Sequence, residues 1–490
     1  MKKALMTIVV ICCMAIPSHS HVRAEVTNQK ELINQFMKDS MKEYEIPGAS
    51  LAIVKNGEIL FQQSYGKQSN GDPVTDETLF AIGSVSKPLT SLGIMKLLDD
   101  GKIDLDHEIS RYLPDFQYKQ TESNKEITIK HLLTHTSGLS SYAGMVLADR
   151  NLRGKDAINT AVQELSDESL IHEPGKVHVY SPANYLLLGR IIEIVTNQTF
   201  SGFMDNEIFN RIGMKRTASN VLKAQELGYQ PGFQSWLGKP VKSKGYMDDS
   251  GMPYGYLAST SVDMSKYIRF MLAGGDEWLS HSTFSQYTSP QIHRKEDMYY
   301  GYGWRISANP DEPYYFHGGE TPDYRSELFI NPKENYGFIL LTNKNNFAEV
   351  LSTVWMRDGV RTIIEKGKLP VVKTMDHHLQ LSVLFITVLL FMLCCGNLYV
   401  LSTKTSIKKR VWIFIGTFSL LFACGLIPSI SYFFNTPWRS INLYAPDIGF
   451  FIKVVVGMMI LHGSFCLLGA LLKRNEQSYG AAMNTKGNTT

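Results

Sequence analysis

Three apolar runs close the chain, and no other feature restricts its folding as strongly. Leu379–Leu401, Val411–Phe434 and Val454–Leu472 are each about 19 to 24 residues long, enough to cross a hydrocarbon core of roughly 30 Å. In lipid every backbone polar group needs an internal partner, so each run is expected to be a membrane-spanning helix. Lys404 and Lys408-Lys409-Arg410 stand between the first two runs, and Lys473 and Arg474 follow the third. The connection between the second and third is poorer in positive charge, with Arg439 and Lys453. Basic residues stay on the cytoplasmic side, so the long segment before the first run is expected outside. The amino terminus points the same way. Lys2 and Lys3, the apolar Ala4–Pro17 and the small residues of Val22-Arg23-Ala24 read as a secretory signal over Met1–Ala24. An uncleaved anchor there would leave the sidedness unchanged. The expected organisation is therefore a signal peptide (1–24), an exported domain (25–366), a tether (367–378), three spans (379–401, 411–434, 454–472) and a cytoplasmic tail (473–490). A multi-pass protein of the cell membrane is therefore expected, with the bilayer as a partner.

Cysteines fall at 12, 13, 394, 395, 424 and 466, so the exported part has none. That excludes a disulfide scaffold and a zinc-thiolate site there, and no metal or cofactor is expected. A net charge of +3 over 490 residues gives no ground for nucleic-acid binding.

Within the exported part, Leu32, Phe36, Met37, Met41 and Tyr44 recur at near-helical spacing over Glu31–Tyr44, which predicts an amphipathic helix. Ala49–Val54 and Ile59–Tyr65 flank Asn56-Gly57, a strong hairpin signal. A second strand pair, Ser326–Ile330 and Tyr336–Thr342, lies near the domain's end, followed by a predicted helix over Ala348–Glu365. The patterns between, such as Leu89–Leu98 and Tyr185–Val195, are mostly helical. Strands at both ends with helices between predict an α/β (α+β) fold: one antiparallel sheet from both ends of the domain, with a helical insert.

Ser84-Val85-Ser86-Lys87 carries the chemistry. A helix starting near Ser84 puts residues 84 and 87 on one face. A serine hydroxyl needs a base within hydrogen-bond reach, and a lysine serves when burial and nearby cations lower its pKa. The free N–H groups of a helix start also favour negative charge. Ser-x-x-Lys alone is a weak pattern, better read as a capped helix with a surface lysine. Its context makes it specific. Ile46-Pro47-Gly48, FAIGSVSK over Phe80–Lys87, ITIKHLLTHTSGL over Ile127–Leu139, YLLLGRIIE over Tyr185–Glu193, GMKRT over Gly213–Thr217 and YGYGW over Tyr300–Trp304 follow in order. Together they resemble the serine β-lactamase-like family of class C β-lactamases, low-molecular-weight penicillin-binding proteins, D-aminopeptidases and related esterases. The resemblance runs from about Glu31 to Glu365.

What it implies is specific. Ser84 is acylated, and Lys87 assists proton transfer. Tyr180, from the segment matching the family's Tyr-x-Asn motif, acts as general base or acid with a pKa depressed by Lys87. Pro182 stands where relatives usually carry an asparagine amide, which makes ordinary β-lactam turnover less expected; Asn184 is out of register for that role. His317-Gly318-Gly319 matches the family's third motif, with His317 in place of a cation. The N–H groups of Ser84 and Glu320 form the oxyanion hole, and Gly318 and Gly319 let substrate approach the strand edge. Tyr254 and Asp323 are expected near the pocket rim, where a carboxylate favours an amine or amide substrate. The implied function is a penicillin-binding-protein-like peptidase or esterase of the cell envelope, acting through an acyl-enzyme on amides or esters, with D-amino-acid-containing peptides, esters or cell-wall components as partners. The layout also looks like the prodrug-activating peptidases of nonribosomal peptide pathways, which remove an N-acyl-D-asparagine leader from a secreted prodrug. A non-catalytic envelope-binding or receptor protein on the same fold is the reading from a different class. Ser84, Lys87 and Tyr180 together weigh against it. His462 and Asn397, polar groups in the expected spans, are read as bonding between helices.

Overall fold

The computed structural model describes residues 19–120 and 125–475. The expected leader and the tail beyond the third span lie largely outside them. Helix α1 (His19–Glu43) begins ahead of the expected leader boundary and extends the amphipathic segment toward the amino terminus. Strands β1 (Gly48–Lys55) and β2 (Glu58–Gly66) follow. Asn56 and Gly57 both have positive φ, 53° and 77°, the backbone a two-residue hairpin turn requires.

The elements that place the site come next: α2 (Ser86–Asp99), α3 (Ser141–Leu147) and α4 (Pro182–Thr196). Strands β3 (Ile292–Lys295), β4 (Met298–Tyr300), β5 (Arg305–Ser307), β6 (Tyr314–Glu320), β7 (Arg325–Asn331) and β8 (Tyr336–Thr342) follow, then α5 (Leu351–Lys366). The strands form one sheet in the order β2-β1-β8-β7-β6-β5-β4-β3. The two ends meet antiparallel where β1 lies beside β8, with Leu51 opposite Leu340 and Ala49 opposite Thr342.

The central strands read as unbroken apolar runs because both their faces are covered. Leu51, Ile53, Phe338 and Leu340 pack under Phe36 and Met37 of α1 and Met356 and Val360 of α5. Ala52, Val54, Ile339 and Leu341 face the helical part, with Leu89 and Leu92 of α2. Each such side chain contributes roughly 1.5–3 kcal/mol by leaving water. At the α1–α5 contact the Phe36 ring fills the space beside Gly359, where any side chain would overlap it.

Among the described residues three helices are long and apolar enough to cross a membrane: α6 (His378–Thr403), α7 (Lys409–Phe433) and, after the short α8 (Trp438–Tyr444), α9 (Pro446–Leu472). The His462 ring lies 3.3 Å from Asn397 Nδ2 and 3.0 Å from Ser419 Oγ, so the polar residues bond between spans. The third span starts eight residues before the expected Val454. Its first turn is not in an apolar environment: Asp447 is buried and accepts from Asn346 Nδ2 (2.9 Å), Gln380 Nε2 (2.8 Å) and the Leu237 N–H (3.0 Å). A polar head seated in the protein is invisible to an apolar criterion. At the far end of the bundle Lys473 Nζ donates to the carbonyls of Leu401, Ser402 and Lys404. The basic connection between the first two spans therefore lies opposite the catalytic domain.

Candidate active site

Ser84 sits in a single 3₁₀ turn, Gly83–Val85, immediately before α2. Gly83 has φ 53°, and a side chain there would overlap the Glu320 nitrogen, so only glycine brings the turn this close to β6. From the first turn of α2, Lys87 reaches back with Nζ 3.0 Å from Ser84 Oγ and donates to the Tyr254 carbonyl at 2.6 Å. Tyr180, two residues before α4, donates its hydroxyl to Ser84 Oγ at 2.9 Å. The three groups read from the sequence thus converge on one oxygen. Pro182 opens α4, where its ring pre-sets φ and its missing N–H costs nothing. Asn184 is buried, its amide oxygen accepting from Ser137 Oγ at 2.5 Å and its nitrogen donating to His135 Nδ1 at 2.9 Å. It belongs to the scaffold and is not free to replace the missing amide.

The electrostatics correct one expectation. Burial, with Arg305 adding to it, holds Lys87 well below the usual amine range. A neutral amine has a lone pair, and across 3.0 Å it can accept the Ser84 proton. Tyr180 moves the other way. Burial pushes its phenol up to about 12, against the opposing effects of Arg305 and the bond to Ser84. The depressed pKa belongs to the lysine, because a dry site disfavours charge on both groups and a neutral lysine cannot stabilise a phenolate. Tyr180 is a donor at neutral pH.

On β6, alternation puts His317 and Gly319 on one face. A side chain on Gly319 would overlap the Ile82 carbonyl, beside the serine turn, whereas one on Gly318 would point at the Glu327 carboxylate on the other face. Gly319 thus permits the close approach, while Gly318 offers substrate only its backbone. The Thr321 N–H donates to the Tyr324 carbonyl at 3.0 Å, so the adjacent Glu320–Arg325 pair is a non-hydrogen-bonded one. The Glu320 N–H then points away from β7. Strand β5 pairs with β6 no further than Phe316, which leaves this N–H on an open edge beside Gly83, as an oxyanion donor requires. His317 is buried, with Nδ1 2.7 Å from the Gly318 carbonyl. A carbonyl only accepts, so the ring proton is on Nδ1. Burial, then Arg305 and Lys87, keep its pKa well below the usual histidine value. The ring is neutral.

Two rim assignments change. Tyr254 touches the site through its carbonyl on Lys87, and its ring is buried in the turn Met252–Tyr256. Asp323 is wholly buried, accepting from the Gly232 N–H at 3.0 Å and Thr321 Oγ1 at 3.2 Å. It ties the loop after β6 to the domain and is no rim carboxylate. Burial pushes its pKa up to about 6, against the lowering effect of the Gly232 bond. An acid held more tightly by the native state costs stability as pH rises from its unfolded range near 4 to about 6, on the order of 3 kcal/mol. Asp323→Asn is expected to remove that part of the fall, seen as a smaller Tm difference between pH 4 and pH 7.

The sequence reading overlooked four further groups. Arg294 and Arg305 act electrostatically on Tyr180 and His317, and Arg305 Nε is buried without a partner among the described residues. The His135 ring lies 4.4 Å from that of Tyr180 and 5.1 Å from that of Tyr300. His135 and Tyr300 stand inside motifs already recognised, and Arg305 directly follows one of them; Arg294 had no local signal.

The family model described as Beta-lactamase matches residues 33–359. Protein flp of Staphylococcus aureus (strain N315) is 30% identical over 326 residues, which are 65% of this chain and 64% of that protein. The chain therefore spans less than two thirds of that relative. Penicillin-binding protein 4 of Amycolatopsis lactamdurans is 27% identical over 316 residues, 61% of this chain and 82% of that one. Among solved structures, the octameric penicillin-binding protein homologue from Pyrococcus abyssi is similar with a TM-score of 0.56 and 25% identity, over 64% of this chain and 72% of that one. With the serine, lysine and tyrosine assembled on a shared fold, the chain belongs to the Beta-lactamase family of serine hydrolases.

Proposed function

We propose that the protein is an extracytoplasmic, membrane-anchored hydrolase that forms an acyl-enzyme at Ser84 on amide or ester substrates containing a D-amino acid. The observation that carries it is the convergence of Lys87 Nζ and the Tyr180 hydroxyl on Ser84 Oγ, at 3.0 and 2.9 Å, beside the open Glu320 N–H. Neutral Lys87 takes the serine proton as Oγ attacks the carbonyl. The Ser84 and Glu320 N–H groups hold the oxyanion. Tyr180 supplies a proton to the leaving group and regains one from the Lys87 ammonium, which resets both groups. Water then gives its proton to Lys87 as it attacks the acyl carbon, and Tyr180 protonates the departing Ser84 Oγ to release the acid. The receptor reading uses none of this geometry. The outward placement is supported by the basic connection, which lies at the bundle's opposite end and favours the cytoplasm.

Arg294 and Arg305 refine the substrate. Partial burial, with Arg305 adding to it, holds Arg294 below the usual guanidinium range, and Arg294 adds a second cation to the positive field at Tyr180. A substrate carboxylate on that side of Ser84 would be attracted, where a rim aspartate would have repelled it.

Intact-mass analysis of the full chain after exposure to a fluorophosphonate, penicillins and D-amino-acid amides and esters tests the reading. One covalent adduct on Ser84, absent in Ser84→Ala, is expected. A folded protein that takes no adduct and cleaves no substrate refutes it. Tyr180→Phe is expected to slow turnover about 10²–10³-fold with little change in Tm, measured as steady-state kcat. An N-acyl-D-asparaginyl amide preferred over D-alanyl substrates would favour the prodrug-peptidase version.

A further inference from the structure

The connection between α7 and α9 does more than join two spans. Arg439, in α8, donates to the carbonyls of Val146 (2.7 Å) and Ala148 at the end of α3. Tyr444 donates its hydroxyl to Asp149 Oδ1 at 3.3 Å. Asp149 has φ 59°, a conformation that a non-glycine residue keeps only when its surroundings hold it. The same carboxylate oxygen accepts from the Tyr256 hydroxyl. Tyr256 ends the turn Met252–Tyr256, whose Tyr254 carbonyl holds Lys87. The start of α3 is tied to the tyrosine segment, since Ser181 Oγ donates to the Ser140 carbonyl at 2.9 Å. The Tyr444 phenol also lies within electrostatic reach of Glu320 and Tyr254. Through the shared Asp149 oxygen it is thus tied to the end of α3 and to the 252–256 turn that holds Lys87.

The connection is anchored on its other side as well. Gln234 Nε2 donates to the Leu443 carbonyl at 2.7 Å, and Trp236 meets Phe450 with ring centres 5.7 Å apart. Asp447 completes the anchor through Asn346, Gln380 and the Leu237 N–H. Nothing about joining two spans requires a buried carboxylate with two donors from the catalytic domain and a third from the start of α6. Such a network fixes a position, because leaving any member unpaired is costly.

We propose that residues 438–447 form a wall of the Ser84 cleft, and that Tyr444 on this wall determines which substrates fit. The membrane part of the chain thereby becomes part of the substrate site. The phenol is tied back to Asp149, so its ring is the surface left for substrate, and it favours a flat apolar or aromatic group. The neighbouring carboxylate disfavours an anionic one on that side. This rests on the serine-hydrolase reading and adds a binding element that the catalytic groups do not require.

The test uses the full chain in detergent, with p-nitrophenyl acetate and p-nitrophenyl phenylacetate measured on the same sample. The ratio of their kcat/KM values does not depend on how much of a variant is folded. Tyr444→Ala is expected to lower the phenylacetate preference about tenfold, the scale of a lost apolar contact, through KM. Tyr444→Phe, which keeps the ring, should retain the preference, and Tyr444→Leu should fall between. Identical ratios in all four proteins would overturn the wall. Failure of the hydrolase reading looks different: the unsubstituted protein would neither take a fluorophosphonate on Ser84 nor cleave either ester.

Discussion

Replacing Lys87 with methionine is expected to slow acylation of Ser84 about 10³-fold while leaving the protein folded. Lys87 Nζ is the amine within 3.0 Å of Ser84 Oγ, and burial keeps it in the form that can accept a proton. Methionine keeps the length and apolar character of the stem but offers no base. General-base assistance is worth typically 10²–10⁴-fold, and the adjacent hydroxyl of Tyr180, held up at about 12, cannot supply it at neutral pH. The same substitution should leave Tm unchanged or raise it. Burial disfavours the charged amine in the native state relative to the unfolded chain, a cost that methionine does not incur and that offsets the lost bond to the Tyr254 carbonyl. The pH profile separates catalysis from packing. Acylation by the unsubstituted protein is present above the lowered Lys87 pKa and is lost as pH falls through it. In the variant that limb should vanish. The measurement is the second-order rate of fluorophosphonate labelling across pH; a rate within tenfold of the unsubstituted protein would remove lysine from the mechanism.

Gly319→Ala should be nearly as damaging, by a different route. A methyl there would overlap the Ile82 carbonyl, which is backbone and cannot step aside. Either β6 or the serine turn must withdraw, and the Glu320 N–H moves with the strand. Loss of one oxyanion donor costs roughly 3 kcal/mol, or about 10²-fold in kcat, and the overpacking adds about 1–3 kcal/mol of destabilisation. Gly318→Ala is the internal comparison. Its methyl would meet the end of the Glu327 side chain on the opposite face at 3.2 Å, so a smaller loss is expected. Equal effects at both positions, measured as kcat and Tm, would contradict the placement of the two faces.

The difference between these glycines shows where local sequence stops being informative. His317-Gly318-Gly319 is one motif, and only the alternation of β6 against a particular neighbour separates the two. The same holds for Asp323 and Tyr254. Both lie close in sequence to pocket segments, yet one carboxylate is consumed by a buried loop anchor and one tyrosine contributes a carbonyl. Arg294 and Arg305 were unreadable for the converse reason. Arg294 has no motif around it and Arg305 falls just past the end of YGYGW, and their bearing on Tyr180 exists only once β3 and β5 are assembled into the same sheet as β6.

From its amino acids alone this chain determined whatever depends on short-range pattern. Apolar length marked the three spans, Asn56-Gly57 marked the first hairpin, and the ordered motifs located Ser84, Lys87 and Tyr180, because each of those signals is contained in a short stretch of chain. The tertiary structure alone decided which group at the serine is neutral, which glycine permits the close approach and where the third span begins. Each of these depends on burial and on partners a hundred or more residues away, such as Arg305 for Lys87, Ile82 for Gly319 and Asn346 for Asp447. Desolvation and contact across an assembled fold have no counterpart in local sequence pattern.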